Sequence, residues 1–279
     1  MTMATTLTPD AIRAGLARLQ PSTPWAHHFD LGHGIETVSP EVGQFYRKAM
    51  GLKAFGALFP SVLRGFMRRE NFNGLKCLDL GSAEGIHSIT MAEGGASHVL
   101  GLEGRELYVD RARFIAQTKG LTNVDFQQAD VRSLDKAKLG QFDFVLCSGL
   151  LHHLNREVFM SFTQSLYDLT ADTLLLYTHV SSEWVVKKFK LQPADPVEGR
   201  YDGALFREHA DEATEAQRTA QVRASLDNTF SFWATEPALM QRFHDLGFKT
   251  IVKLYEPAFA LTFQERVFRG VWVLRRDPL

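Results

Sequence analysis

The chain has little cysteine, almost no net charge and no long apolar run, and each lack closes a class of explanation. Its 279 residues include two cysteines, Cys77 and Cys147, too few for the disulfide framework that staples small secreted domains. Both lie in short apolar segments that read as buried strands, so a reducing cytoplasm is the expected compartment. Lysine and arginine total 31 against 32 aspartates and glutamates, a formal net charge of −1. An enzyme that handles DNA or RNA usually carries a basic excess or a basic face; here the local cluster Arg64, Arg68 and Arg69 reads equally well as a solvated helix face. No stretch approaches the apolar length of a membrane span, and the first residues lack the continuous apolar segment of an export signal. Neither a membrane nor a nucleic acid is therefore the expected partner, and no repeat or low-complexity tract points elsewhere.

What is present is concentrated between Lys76 and Gly104, KCLDLGSAEGIHSITMAEGGASHVLGLEG. A short apolar run, Cys77 to Leu80, meets a glycine-bearing turn, Gly81-Ser82-Ala83-Glu84-Gly85, and a helix is expected from about Ile86. His98 to Leu102 is the next strand and Glu103 stands at its carboxyl end, close to the offset at which a dinucleotide fold places the acid that accepts both ribose hydroxyls. A pyrophosphate loop needs three glycines for close backbone approach and a neutral or basic lining. This turn has Ala83 at the middle position and carries Asp79 and Glu84, which suits an adenosine bearing a cation.

The same stretch resembles motif I of the class I S-adenosylmethionine-dependent methyltransferases, whose loop runs acid-x-Gly-x-Gly-x-Gly. Asp79, Gly81 and Gly85 match it, and Ala83 is the departure. The resemblance, over about residues 72–180 and more loosely 229–276, implies an α/β fold: a seven-stranded, mostly parallel Rossmann-like methyltransferase sheet with helices on both faces, in a methyltransferase domain over 73–279. Outside the resemblance, 1–72 reads as an N-terminal helical and lid segment and 181–228 as a substrate-covering insert after the fifth strand. The resemblance also implies S-adenosylmethionine as cofactor, held by Asp79, Gly81, Ser82, Ala83, Gly85, Glu103 and Gly104, with Ser148 near the sulfonium. Strand Val124 to Gln128 ends at Ala129-Asp130-Val131, at the sheet edge that lines the ligand crevice, so Asp130 and Val131 join the set as adenine contacts. An N-cap for the turn that follows is the other reading of Asp130.

Phe142 to Leu154, FDFVLCSGLLHHL, resembles the segment after the fourth strand of small-molecule members of that family, in which a histidine borders the sulfonium. His153 is the favoured base, with His152 and the later His209 as alternatives, and Cys147 reads as a core thiol. Before the core, Pro24 to Thr37 is rich in histidine, aromatics and glycine; it reads as an extended segment turning at Gly32 to Gly34 that covers the site, with Trp25 and His28 as substrate contacts. His27, His28, Asp30 and His33 invite a metal, but they lack the spacing of a fixed metal cluster, and none is expected. In the polar, irregularly helical insert, Arg207 could bind an anionic substrate group, and after it Asn228 and Trp233 suit a pocket wall. The expected activity is methylation of a small molecule, most readily at a hydroxyl, by a monomer or homodimer. An RNA-modifying enzyme and a non-enzymatic S-adenosylmethionine-binding protein stand as alternatives.

Overall fold

Segments that alternate short apolar runs with amphipathic stretches fold here into strands followed by helices, as a parallel sheet requires. The computed structural model describes residues 6–20, 24–43, 55–221, 224–255 and 267–278. Its seven-stranded sheet has the order β3-β2-β1-β4-β5-β10-β9, and a three-stranded sheet has the order β6-β7-β8. The chain divides into two compact units, residues 1–129 with 256–260, and residues 130–255 with 261–279.

The first unit opens with α1, Pro9–Arg18, which begins where Thr8 caps it by accepting the amide of Ala11 and where Pro9 takes the first helical position. Ile12 is its buried contact. After a short helix α2, Leu58–Val62, the chain enters β1, Lys76–Leu80, then α3, Ile86–Glu93, β2, His98–Glu103, α4, Glu106–Thr118, and β3, Val124–Gln128. β1 and β2 pair in parallel from Lys76 opposite His98 to Leu80 opposite Leu102, and β2 pairs in parallel with β3. Cys77, Leu78, Leu80, Val99 and Leu102 are essentially inaccessible. These strands read as continuous apolar runs because both faces are covered.

The second unit begins with α5, Lys136–Leu139, and β4, Phe142–Ser148. α6, Phe159–Leu169, returns the chain to β5, Thr170–His179, which is parallel to β4. The tail then reverses direction. α9, Glu236–Leu246, leads to β9, Thr250–Leu254, which pairs antiparallel with β10, Arg269–Arg275, and β10 pairs antiparallel with β5. β9 and β10 thus end the sheet as an antiparallel pair.

The insert differs from its expectation. Apart from α7, Glu183–Phe189, and the short α8, Glu215–Ala220, its ordered part is a β-structure: β6, Gln192–Pro193, and β7, Gly203–Arg207, make an antiparallel sheet with β8, Phe230–Ala234. Polar composition misled the sequence reading because the long stretch between β7 and β8 is polar, whereas β8 itself is buried at Ser231 to Ala234. Ala204 and Trp233 of this sheet pack with Val185, Leu191 and Phe268. Among the described residues no helix is long and apolar enough to cross a membrane.

Candidate functional site

In the first unit the turn between β1 and α3 is pinned from both ends. The amides of Gly81 and Ser82 donate to the carbonyl of Leu102 at 2.9 and 3.0 Å, and the amide of Gly85 donates to Ser82 at 2.8 Å. Gly81, Ala83 and Gly85 all take positive φ, 70°, 47° and 81°. The left-handed conformation survives at Ala83 without glycine, at a cost of about 1 kcal/mol. Gly85 has no such latitude, because a Cβ there would lie 2.7 Å from the Phe126 ring and 3.0 Å from Ala112.

Glu103 faces this turn: its carboxylate accepts the amide of Ala83 at 3.0 Å and that of Arg105 at 2.9 Å. It is buried, and burial pushes its carboxyl above the ordinary range despite those amides. Asp79, equally buried, accepts the hydroxyl of Ser88 at 2.6 Å, and burial raises its carboxyl to about 6. The Ser82 hydroxyl is buried with no hydrogen-bond partner. An ionised carboxylate has acceptor sites beyond two amides, so Glu103 retains capacity for a vicinal diol, and the unsatisfied Ser82 hydroxyl marks a place for a polar ligand atom. Two buried carboxylates held above their usual range favour a cation. These observations fit S-adenosylmethionine better than a diphosphate.

Glu84, read from the sequence as a second acid for the ligand, turns the other way. It is fully buried and accepts the amides of Ala26 and His27 at 3.0 and 2.8 Å, the His27 ring nitrogen Nδ1 at 3.0 Å, and Arg111 at 2.7 Å. Burial pushes its carboxyl up, but the His27 hydrogen bond and the neighbouring amide and guanidinium outweigh that and hold it below the usual range. Arg111 itself lies over the Trp25 ring at 4.6 Å. Trp25 is thus a core contact with 1% of its surface exposed, and its reading as a substrate contact gives way to packing on a buried cation. His28 lies 3.1 Å from Glu36 across the bridge of Asp30 and Glu36. The expected turn at Gly32 to Gly34 closes through the amide of Ile35 and the carbonyl of Gly32.

In the second unit the residues after β4 make a single 3-10 turn, Leu151–His153. β8 holds it: the Phe232 amide donates to the carbonyl of Leu154 at 2.8 Å, and the Trp233 indole donates to that of His152 at 3.0 Å. Trp233, read as pocket wall, is buried and serves to position this turn. His152 is buried, stacked on His179 at 3.7 Å, and accepts the His179 amide on Nδ1 at 3.3 Å. That donor leaves Nδ1 without a proton. Burial drives His152 well below its ordinary value and takes His179 down to about 2, with Arg269 adding to both. Neither ring is suited to hold a proton at neutral pH.

His153 is different. Its ring is partly exposed and its Nδ1 lies 2.8 Å from Glu208, whose side chain is almost wholly buried. Glu208 also accepts the amide of Ser225 at 3.1 Å. A carboxylate at Nδ1 places the proton there and leaves Nε2 as the basic nitrogen. His209, the alternative base, donates its Nε2 proton to the carbonyl of Ser225 at 2.9 Å and is buried. It fastens the loop that presents Glu208. Arg207 pairs with Asp211 at 2.8 Å over the Phe230 ring, and Asn228 donates to the Phe230 carbonyl at 2.7 Å. Both are spent on the insert's own structure.

Asp130 caps the 3-10 turn Val131–Ser133 by accepting the Arg132 amide, and its two oxygens also take the Arg132 guanidinium, which bridges to Asp227. Those hydrogen bonds account for the lowered carboxyl of Asp130. Its cap role is therefore visible, whereas Val131 is simply buried. Ser148 ends β4 as expected, half-buried. Sequence reasoning missed Arg111 and Glu208 as site-forming groups, and it read Glu84 as an acid for the ligand rather than for the strap. Arg111 left a signal, since it falls on the apolar stripe of α4 with Tyr108, Ala112 and Ile115, where an unpaired charge would not survive. Glu208 stood between the two residues that were named.

Known proteins similar to this chain in sequence or fold include methyltransferases. Residues 71–169 match the family described as a methyltransferase domain. The ubiquinone biosynthesis O-methyltransferase of Acinetobacter baylyi is 35% identical over 81 residues, 29% of this chain and 34% of that protein, and the same enzyme of Neisseria meningitidis serogroup C is 29% identical over 84 residues. The match thus spans about a third of the length of these relatives. The crystal structure of the N-terminal domain of EvdMO1, determined in the presence of S-adenosylhomocysteine and D-fucose, is 26% identical, covers 98% of both chains and superposes with a TM-score of 0.68. The magnesium protoporphyrin IX methyltransferase of Synechocystis with bound S-adenosylhomocysteine, 19% identical over 82% of this chain and 85% of its own, has a TM-score of 0.53 and shares the fold.

Proposed function

We propose that this chain, which belongs to the class I S-adenosylmethionine-dependent methyltransferases, methylates a hydroxyl of a small molecule. Glu103 and the amide-lined turn at Gly81 to Gly85 would hold the adenosine, and Asp79 would offset the positive charge. The bound cofactor supplies a methyl group on a cationic sulfur, open to in-line displacement by an oxygen nucleophile. The protein's part is to orient the acceptor and to remove the hydroxyl proton, which His153 Nε2 does as Glu208 fixes the tautomer and stabilises the imidazolium that forms. The hydrogen bond of 2.8 Å between His153 and buried Glu208 is the observation that carries this reading, because an amine acceptor would need no such base.

The relatives support an oxygen acceptor: the ubiquinone enzymes are O-methyltransferases by name, and the EvdMO1 domain was crystallised with a sugar. A polyanionic acceptor finds less support. Arg64 pairs with Glu70 and Arg69 donates to the Asn73 carbonyl, so the one basic cluster noted in the sequence is engaged locally. Titration calorimetry with S-adenosylhomocysteine, followed by mass spectrometry of products from a panel of phenols and sugars, tests the proposal. Binding, with an O-methylated product that disappears in His153→Ala, is expected. Failure to bind S-adenosylhomocysteine, or methylation confined to nitrogen or RNA, would overturn it.

A further inference from the structure

We propose that Glu84 is a positioning residue of the donor site, through which the strap Pro24 to Thr37 and the turn that faces Glu103 form one coupled element. The inference rests on the reading that this turn holds S-adenosylmethionine. A carboxylate taken out of water costs several kcal/mol unless partners replace the lost hydration, and the strap supplies them. The amides of Ala26 and His27 and the His27 ring converge on Glu84, and Arg111 closes the set from the other side while donating to the carbonyls of Pro24 at 3.3 Å and Leu19 at 2.9 Å. The start of the strap is therefore held at its amides by Glu84 and at a carbonyl by Arg111.

The strap is also closed on itself. The Thr37 hydroxyl donates to the carbonyl of His27 at 2.8 Å and accepts the amide of Phe29 at 2.9 Å. Toward the ligand, Glu84 is the neighbour of Ala83, whose amide fills one oxygen of Glu103, and the turn between them is closed by the Gly85 amide on Ser82. With Ala83 and Gly85 both in the left-handed region, little freedom remains between the two acids. Moving Glu84 must move the Ala83 amide relative to Glu103. Coupling of this kind is reciprocal: whatever orders the strap tightens the donor, and the donor orders the strap.

Two full-length variants test it, Glu84→Gln, which removes the charge opposite Arg111, and Thr37→Val, which loosens the strap without touching the turn. Hydrogen exchange is read at Ala26 and His27, and S-adenosylhomocysteine affinity by calorimetry. In the unsubstituted protein the ligand should slow exchange at both amides. Glu84→Gln should raise exchange there and weaken affinity about tenfold, and Thr37→Val should act in the same direction by about threefold. Should Glu84→Gln fail to fold, Thr37→Val decides alone. Faster strap exchange with affinity within twofold of the unsubstituted protein overturns the coupling. Absence of any S-adenosylhomocysteine binding by the unsubstituted protein would instead remove the donor-site reading itself.

Discussion

Around the turn of the first unit lie three buried carboxylates, Asp79, Glu84 and Glu103, with His27 and Arg111 paired to Glu84, whereas the second unit stacks two imidazoles, buried His152 and half-buried His179, beside the ends of β4 and β5. Asp79 and His179 respond to acid in opposite senses. Asp79 is raised from 3.8 to about 6 in the folded protein, so its contribution to stability is complete below its unfolded value and is lost as the pH climbs toward 6. His179 is depressed from 6.5 to about 2, so its contribution is complete above 6.5 and drains away as the pH falls below it. A site that stores uncomfortable acids is prepared for a cation. One that keeps two rings neutral beside a third, His153, suits the proposal that the third ring takes the proton.

The sharpest way to break this contrast is His153→Ala, which should lower turnover by about a thousandfold while S-adenosylhomocysteine affinity stays within twofold. Unchanged turnover would take the base away from the histidine turn. Next in size is Gly85→Ala, which pushes a Cβ into Phe126 from a left-handed position and should cost about 3 kcal/mol in urea unfolding, together with donor affinity; a loss under about 1 kcal/mol would mean that the turn relaxes freely.

The opposed pH responses come third. Between about pH 4 and 6 the Asp79 contribution should erode by about 3 kcal/mol, and Asp79→Asn should remove that slope; between pH 6.5 and about pH 5 the His179 contribution should erode by about 2 kcal/mol, and His179→Phe should flatten it. Urea melts across the pH range separate the two, and parallel slopes in both variants would erase the distinction between the units. The smallest effect is expected at Asp130. Asp130→Asn keeps the cap but removes the carboxylate paired with Arg132; it should cost no more than about 1 kcal/mol and change S-adenosylhomocysteine affinity less than threefold, whereas a tenfold loss would restore it as an adenine contact.

The parts of this molecule that sequence could read are the local ones. The turn after β1, the glycine that α3 grows from and the acid at the end of β2 lie within thirty residues of one another, and each is dictated by backbone geometry that a few residue types satisfy. The same holds for α1, where Thr8 and Pro9 write the start of a helix in two letters. The partners of Glu84 and His153 were opaque for the converse reason. Those partners arrive from 57 and 55 residues away in the chain, and no spacing rule relates them. Glu84 even looked like a ligand acid, because composition reports a charge and not the direction in which it points. The β-structure of the insert was hidden similarly: β7 and β8 are joined by a polar stretch of more than twenty residues, far from the short hairpin turn that would have announced them.

The docking of β8 on the histidine turn has a bearing on how such an enzyme can be re-engineered. If the insert covers the acceptor it is the segment to exchange for a new one, yet the same stretch delivers Glu208 to His153 and leads into the strand whose Trp233 indole and Phe232 amide hold the turn. On the proposed mechanism, a graft that altered its loops while discarding the carboxylate would also remove the partner that fixes His153. Recombination at this fold is therefore safest when Glu208, Ser225 and β8 travel together, leaving the stretch between Ala210 and Ala220 as the part free to vary.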